Sequence, residues 1–466
     1  MNPISRREFI KKAGMAGILM TSAEPWSCIA QNSKYSGKPN LIFILTDDQR
    51  WDTMGCMGNS IVQTPHMDRL SAQGVTFENN FVTTSICASS RASIFTGQYM
   101  RRHGIVGFSE GFSPSTLSQT YPLLMRSAGY RTGFIGKWGV GESLPEKEFD
   151  YYKGFGGQGK YFHEEDGKQV HLTSIIGRQA VDFLRGCPKD QPFCLSLSFK
   201  APHVQDEDPR QFLYDPAYET LYKNITFPVP KTAAPKYFEA LPDYIRSSEA
   251  RRRWEMRFST PEKFQESIKG YYRLISGVDV MLGKIREALK ELEFDDNTII
   301  ILTGDNGFYL GEHGLAGKWF MHEESIRTPL IIYDSGLPAR FRGKRRKEMT
   351  LNIDLAPTML DLAGLEIPAS IQGRSLQPLI YGNSVPWRDD FFYEHLFQHA
   401  RIPRTEGVRT ERWKYIRYID REPADEELYD LENDPLEIKN IALSEDRMRI
   451  LDSLRQRWAF LRESLR

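Results

Sequence analysis

Two unbroken apolar runs of strand length punctuate the chain, residues 40–46 (NLIFILT) and 297–303 (NTIIILT), and each closes on an acidic loop. A strand that is apolar on both faces is covered on both faces, as in a parallel sheet. Shorter runs at 132–135, 193–199 and 329–333 predict further buried strands. Over 263–292 the apolar positions Ile268, Tyr272, Ile275, Val278, Leu282, Ile285 and Leu289 recur at spacings of three and four. That period predicts one long amphipathic helix, and a shorter helical pattern covers 67–73. Strands alternating with helices predict an α/β fold, a large mixed, mostly parallel sheet flanked by helices. Ligands of such sheets bind beyond the carboxyl ends of the strands. After about residue 385 the pattern changes. Residues 390–396 and 407–418 alternate as strands of an antiparallel sheet do. A turn-rich 430–435 and a terminal helix over about 444–465 follow. We therefore expect a large domain over 38–380 and a smaller C-terminal α+β subdomain with an antiparallel sheet over 385–466. Residues 204–262 form a long insertion rich in Pro, Tyr and basic residues, of the kind that is functional or disordered.

The first thirty residues read differently. Ser5-Arg6-Arg7-Glu8-Phe9-Ile10-Lys11 is a twin-arginine export pattern, and an apolar stretch over 13–23 follows it. That stretch is too short to span a bilayer and sits behind a basic segment, as in a signal peptide. Residues 1–30 are thus expected to be a leader for the twin-arginine machinery, with the mature chain periplasmic or on the surface of a bacterial cell. Cys28 ends a cleavage site or carries a lipid anchor, although Trp26-Ser27 ahead of it make a poor lipobox. No run approaches the length of a membrane-spanning helix. Composition narrows the class further. The 61 basic and 61 acidic groups cancel over 466 residues, and without the leader the balance is a formal −2. No basic surplus marks a nucleic-acid partner. Five cysteines are too few for a disulfide scaffold and fit no zinc spacing.

The chemistry gathers where the apolar runs end. The first run leads into Asp47-Asp48-Gln49 and the second into Gly304-Asp305-Asn306-Gly307. Adjacent carboxylates repel unless a cation sits between them. Their hard oxygens suit Ca2+, with Mg2+ as the alternative, and not zinc. Either pair alone reads as an ordinary helix cap or turn. Two such pairs after two apolar strands read as one cation site.

Between the pairs lies TSICASSRASIFTG (84–97): Cys87, two residues, Ser90-Arg91, then Thr96-Gly97. This resembles the signature of the formylglycine-dependent sulfatases, of the alkaline phosphatase-like superfamily. Further segments resemble that family in order, over about 39–440. They include 40–48, 64–70 (TPHMDRL), 133–141 (GFIGKWGVG), Ala201-Pro202-His203, 305–318 (DNGFYLGEHGLAGK), 353–358 and 408–410.

The resemblance implies a sulfuric ester hydrolase in which a maturation enzyme oxidises Cys87 to formylglycine. It implies a cation, Ca2+ or Mg2+, held by Asp47, Asp48, Asp305, Asn306 and the modified Cys87. Arg91 would orient the formylglycine hydrate, and Lys137 and Lys318 would bind sulfate oxygens. His203 would bind the sulfate or protonate the leaving alcohol. Two positions depart from the family pattern. A histidine usually stands where Gly139 does, with His313 as a loose substitute. Ser89 replaces the commoner Pro or Ala, which bears on how efficiently Cys87 matures.

Alternatives remain open at this point: an arylsulfatase of broad specificity, a phosphonate or phosphodiester hydrolase of the same superfamily, or an inactive glycan-binding homologue. The Asp-Asp and Asp-Asn pairs favour sulfate over the second. The nine histidines are scattered and do not supply the zinc cluster of an alkaline phosphatase. Tyr214, Tyr218, Tyr222, Lys231, Lys236, Tyr237, Tyr244, Arg246, Arg251, Arg252, Arg253 and Trp254 in the insertion suit a sulfated glycan, by ring stacking and anion pairing. They suit local packing equally. His395, His399 and Arg401 are further candidates to face the pocket. The expected substrate is a sulfated carbohydrate, with a 6-O-sulfated amino sugar of a polysaccharide as first guess.

Overall fold

The two long apolar runs become neighbouring strands. The computed structural model describes residues 37–465, so the leader expected over 1–30, Cys28 included, lies outside the described residues. The large sheet has nine strands: β1 (Asn40–Asp47), β2 (Val75–Phe81), β3 (Arg131–Lys137), β4 (Tyr151–Phe155), β5 (Phe193–Pro202), β6 (Thr298–Gly304), β7 (Arg327–Asp334), β8 (Lys344–Arg346) and β9 (Thr350–Leu351). Their order is β8-β2-β7-β6-β1-β5-β3-β4, with β9 also on β2. β7 runs antiparallel to both its neighbours, and every other pairing is parallel.

Both faces of the sheet are covered, which is why β1 and β6 need no polar alternation. Along β1, Ile42 and Ile44 enter one apolar core while Leu41, Phe43 and Leu45 enter the other. The main helices are α1 (Pro65–Gln73), α2 (Cys87–Thr96), α3 (Leu172–Arg185), α4 (Glu249–Arg257), α5 (Pro261–Glu291) and α6 (Leu355–Leu362); α4 packs on α5 and along residues 316–317, and the others cover the sheet. α5 is the long helix the apolar spacing predicts. Thr260 caps it, its hydroxyl accepting from Lys263 N, and Pro261 starts it. Its Ile268, Ile275, Val278 and Leu282 pack with Ile176 and Phe183 of α3 on the first face. Ala92, Ile94 and Phe95 of α2 and Leu355 and Met359 of α6 lie on the second.

The C-terminal stretch builds a four-stranded antiparallel meander, β10 (Asp390–His395), β11 (Thr405–Thr410), β12 (Trp413–Tyr418) and β13 (Asp425–Asp430), followed by helix α7 (Met448–Ser464). The strand expected over 407–418 is in fact a hairpin. β11 and β12 pair through a turn at Glu411-Arg412, where the polar run Thr410-Glu411-Arg412 breaks the alternation. One face of the meander packs Phe391 and Tyr393 against Phe81 and Met321, and the other packs Val408 and Leu428 against Leu451 and Leu454 of α7. Buried charge fastens this sheet to the segment after Lys318. Lys414 Nζ lies 3.0 Å from Glu323 and 2.6 Å from Glu437, Arg409 reaches Glu323 at 3.3 Å, and the Glu437 carboxylate accepts from Glu323 N.

The insertion at 204–262 is ordered: Phe212, Leu213, Tyr222 and Phe227 sit in the first core. Among the described residues no helix is long and apolar enough to cross a membrane.

Candidate active site

Four neighbouring strands, β6, β1, β5 and β3, end side by side. Thr46 pairs with Gly304, Asp47 with Pro202 and Gly136 with Ser198. This register brings Asp305 and Asn306, Asp47 and Asp48, His203, and Lys137 to one edge of the sheet. The approach of β6 to β1 requires glycine at 304, because a Cβ there would stand 2.6 Å from the Gln49 carbonyl oxygen. Asp48 adopts a left-handed φ of 67° and donates its N–H to Asp305 Oδ1 at 3.0 Å.

α2 enters the same edge with Cys87 as its first residue. Its N-terminus has no side-chain cap, so its free N–H groups favour an anion there. Ser90 Oγ donates to Asp305 O at 2.5 Å. From the next position Arg91 Nε and Nη2 both reach Asp305 Oδ2 at 2.9 Å. Arg91 Nη1 donates to Lys137 O at 2.9 Å and to Ser198 Oγ. Lys318 follows a short hairpin of 309–310 with 316–317 and contacts Asp48 Oδ1. Lys137 Nζ lies 2.5 Å from Asp47 Oδ2. All these side chains are buried.

Burial alone would raise Asp47, but Lys137, His203, Arg91 and Lys318 override it and hold its carboxyl well below the usual range. Asp305 goes the other way. Burial and the Asp47 charge push it up to about 6 against the pull of Arg91. Burial would lower Lys318, yet Asp48 and the neighbouring Cys87 and Asp47 keep it firmly charged. His203 is pushed far down by burial, with Lys137, Lys318 and Lys200 adding to the effect of burial.

The donor set fits a hard divalent cation. Asp47, Asp48 and His203 each offer an atom, and the three lie within 4.8 Å of one another. Asp47 Oδ1 and Asn306 Oδ1 are buried with no hydrogen-bond partner, which a cation would supply. His203 Nδ1 donates to Val204 O at 2.7 Å, so its Nε2 lone pair faces Asp48 Oδ2 at 3.6 Å. Two acceptors face each other there, and a positive centre between them removes the conflict. His203 joins Asp47 and Asp48 in this close trio, and the Asp305 carboxylate beside them is also held by Arg91 and by the N–H of Asp48.

Every sequence-derived candidate, Cys87, Arg91, Lys137, His203, Lys318 and the two acidic pairs, comes to this edge. His313 does not replace the missing histidine, since its ring stacks on His322 at 5.0 Å. Nor would a side chain fit at Gly139. Its φ is +72°, and a Cβ would stand 2.7 Å from Arg91 Cδ. Arg91 fills that space instead.

Of the other candidates, Tyr222 is buried on Ser276 and Gln63, Tyr214 bonds Glu219, and Tyr244 packs on Tyr418. Their role is packing. His395 is buried at the end of β10 with both ring nitrogens unpartnered, and exposed His399 stacks on Phe397. The Arg401 carbonyl accepts from Glu249 N.

Three residues of the site carry no motif signal. Lys200 is buried three positions before His203 and pushed down to about 8 by burial and Lys137. Gln158 accepts from Lys137 at 2.7 Å, and Ser198 holds Arg91. The polar Ser198 and Lys200 in an otherwise apolar strand were the available signal.

The sulfatase family model matches residues 39–365, and the model described as N-sulphoglucosamine sulphohydrolase, C-terminal, matches 311–464. An N-acetylglucosamine-6-O-sulfatase of Bacteroides thetaiotaomicron is 32% identical, over 89% of this chain and 84% of that one. Human N-acetylglucosamine-6-sulfatase is 28% identical, over 77% and 67%. Among solved structures, a complex with its substrate D-glucosamine-2-N,6-O-disulfate superposes with a TM-score of 0.78 at 30% identity, over 92% of this chain and 97% of that one. A phosphonate monoester hydrolase of Agrobacterium radiobacter has a TM-score of 0.69 at 22% identity, over 92% and 96%, a likeness of fold alone.

Proposed function

The chain belongs to the sulfatase family, and on that premise we propose that it removes the 6-O-sulfate from a sulfated amino sugar of a polysaccharide or its fragments. The observation that carries this reading is Cys87 at the uncapped start of α2, close enough to Lys318 and Arg91 to act on their charge, with Asp47, Asp48, Asp305 and Lys137 gathered where β1, β6 and β3 end. Relatives that act on N-acetylglucosamine 6-sulfate support the substrate class.

Formylglycine made from Cys87 would supply a hydrated aldehyde as nucleophile, and Asp47, Asp48, Asp305 and Asn306 would hold the Ca2+ or Mg2+ that polarises the sulfate. Around that group the chain's own residues divide the work. Lys137 and Lys318 donate to the non-bridging sulfate oxygens and hold the charge that grows there. Arg91, braced by Asp305 and Ser198, fixes the hydrate. His203 keeps Nδ1 on the Val204 carbonyl, so Nε2 is the atom that carries the proton to the departing sugar oxygen. Burial and three lysines depress its basicity in the free pocket, and the sulfate's negative charge offsets the lysines. A weakly basic histidine is a strong acid once protonated, as an alkoxide leaving group demands. Export by the twin-arginine route and maturation by a formylglycine-generating enzyme complete the reading.

The test is sulfate release from N-acetylglucosamine 6-sulfate, other sulfated sugars and an aryl sulfate, with Cys87→Ala beside the wild type. The wild type releases sulfate from the 6-sulfated amino sugar, and the variant, folded by circular dichroism, releases none. Turnover of the aryl sulfate alone overturns the substrate class. Activity in Cys87→Ala overturns the nucleophile. A mass measurement on the Cys87 peptide separates an enzyme from a glycan-binding homologue with an intact thiol.

A further inference from the structure

α4 packs beside the segment that leads into Lys318, along Ala316-Gly317. The Arg253 stem lies against Gly317, its Cδ 3.7 Å from where a Cβ would stand, and its guanidinium sits 5.2 Å over the Trp319 ring. Arg253 therefore touches both chain neighbours of Lys318. On its other side Arg253 Nη1 donates to Asp206 Oδ1 at 3.2 Å. Asp206 stands three positions after His203, so one side chain joins the loops that carry two sulfate-binding residues.

The charges in this bridge do not cancel. Asp206 also accepts from Arg257 Nη2 at 2.9 Å, and Glu249 takes Arg252 and Arg253 Nε. Three guanidinium groups thus face two carboxylates. Arg253 is 21% exposed, and its Nη2 has no partner among the described residues. Arg257 is fully buried with Nη1 unpartnered, although Gln211 holds its Nε. Burial and Arg253 push it down to about 9, while Asp206 and Asp48 of the cation site oppose the shift. A buried, unmatched guanidinium backing the partly exposed Arg253 favours an anion beside them.

We propose that Arg253, backed by Arg257, is a subsite for a second oxyanion of the substrate, a sulfate or carboxylate next to the 6-sulfate being removed. This rests on the sulfatase reading above. An N-sulfate on the same sugar and the carboxylate of an adjoining uronic acid offer the same chemistry, and the experiment separates them.

The kcat/KM of wild type and Arg253→Gln is measured on N-acetylglucosamine 6-sulfate, on glucosamine 2-N,6-O-disulfate, and on a disaccharide joining a 6-sulfated glucosamine to a uronic acid. The expected result is that the wild type's preference for one dianionic substrate over the monosulfate falls about 10-fold or more in the variant, through KM. Arg253→Lys restores part of it. A loss on the disulfate assigns the N-sulfate, and a loss on the disaccharide assigns the carboxylate. An equal fall on all three through kcat makes Arg253 a brace between the loops and overturns the subsite, as does no change in preference. If the wild type turns over none of the three, the amino-sugar reading itself fails and the subsite falls with it.

Discussion

Lys318 and Glu323 are close in sequence yet belong to opposite kinds of buried charge. In the pocket, Lys318, Lys137 and Arg91 are drawn onto Asp47, Asp48 and Asp305, but acceptor atoms are left over. At the C-terminal sheet, Glu323, Lys414, Arg409 and Glu437 close on one another. Lys414 Nζ and Glu437 Oε1 meet there by charge alone, at 2.6 Å without hydrogen-bond geometry, and Glu324 Oε2 belongs to a carboxyl that keeps its own proton, because burial and the charges of Glu312 and Glu437 push it up to about 8. Both clusters are buried and ionic, so burial does not tell function from scaffold. The difference is completion. The pocket keeps acceptor oxygens, Asp47 Oδ1 and Asn306 Oδ1, that the cation of the proposed function would take up, whereas the charges of the second cluster are met by residues of the chain and a proton.

Breaking the unfinished cluster gives the largest effect on activity. Asp48→Asn removes one hard ligand and the main partner of Lys318. Sulfate release then falls on the order of 10^2–10^3-fold. Wild type gains thermal stability from added Ca2+, by about 2.7 kcal/mol at a hundred times Kd, and Asp48→Asn gains none. Equal Ca2+ stabilisation of the two proteins, read by melting temperature, would show that these oxygens are not the cation site.

Breaking the finished cluster acts on the fold instead. Lys414→Met leaves Glu323 and Glu437 buried without their shared cation. Removing one partner of a buried pair costs about 3–5 kcal/mol. The melting temperature drops, while the Ca2+-dependent gain persists in the protein that remains folded. If Lys414→Met melted like wild type yet lost the Ca2+ response, the division between the two clusters would be wrong.

This division also explains which parts of the molecule could be read from the sequence. The pocket lies at the ends of β1 and β6, whose apolar runs announce themselves, and its chemistry sits in compact segments around Asp47, Cys87, Lys137, His203 and Asp305. Short-range pattern suffices for each. The reversed direction of β7 was not legible, because an apolar run reads alike whichever way the strand points. The hairpin at Glu411-Arg412 was missed because its two-residue turn holds no Gly, Pro, Asn or Asp to mark it, although the polar run Thr410-Glu411-Arg412 breaks the alternation. The second cluster joins Glu323 to Lys414 and Glu437, partners about a hundred positions away, and no local spacing marks a pair formed only by folding. Arg253 and Arg257 fall in between. Their richness in charge was visible, but which of the insertion's cations lie against Trp319 and Asp206, beside Lys318 and His203, depends on how α4 packs.

The smallest effect is the most specific to the finished cluster, and its sign follows from the protons each group holds. Burial pushes Glu324 up to about 8, and Glu437 and Glu427 up to about 7, from an ordinary 4.5. Between those values the folded chain keeps protons that the unfolded chain has released, so stability falls as pH rises through the window and levels off above it. The buried histidines act oppositely. Burial pushes His313 down to about 4, so its contribution is complete above pH 6.5 and is lost as pH falls to 4. Glu323, held low against burial by Arg409 and Lys414, likewise loses its contribution only below about pH 4.5. Burial also raises Asp279 and Asp305, but only to about 6, so both finish titrating near pH 7. Lys200, pushed down to about 8 by burial, acts in the opposite sense, but mainly as pH rises through 8 and beyond. Between about pH 7 and 8 the glutamates of the second cluster therefore dominate the slope. Melting temperature in chelator is expected to peak near pH 6.5 and to fall toward pH 8, with about 1–2 kcal/mol of the loss coming from Glu324. Glu324→Gln keeps the side chain neutral at every pH and flattens that alkaline limb. An alkaline limb of equal depth in Glu324→Gln would mean that Glu324 is charged in the folded protein, and that the second cluster is no more self-balanced than the pocket.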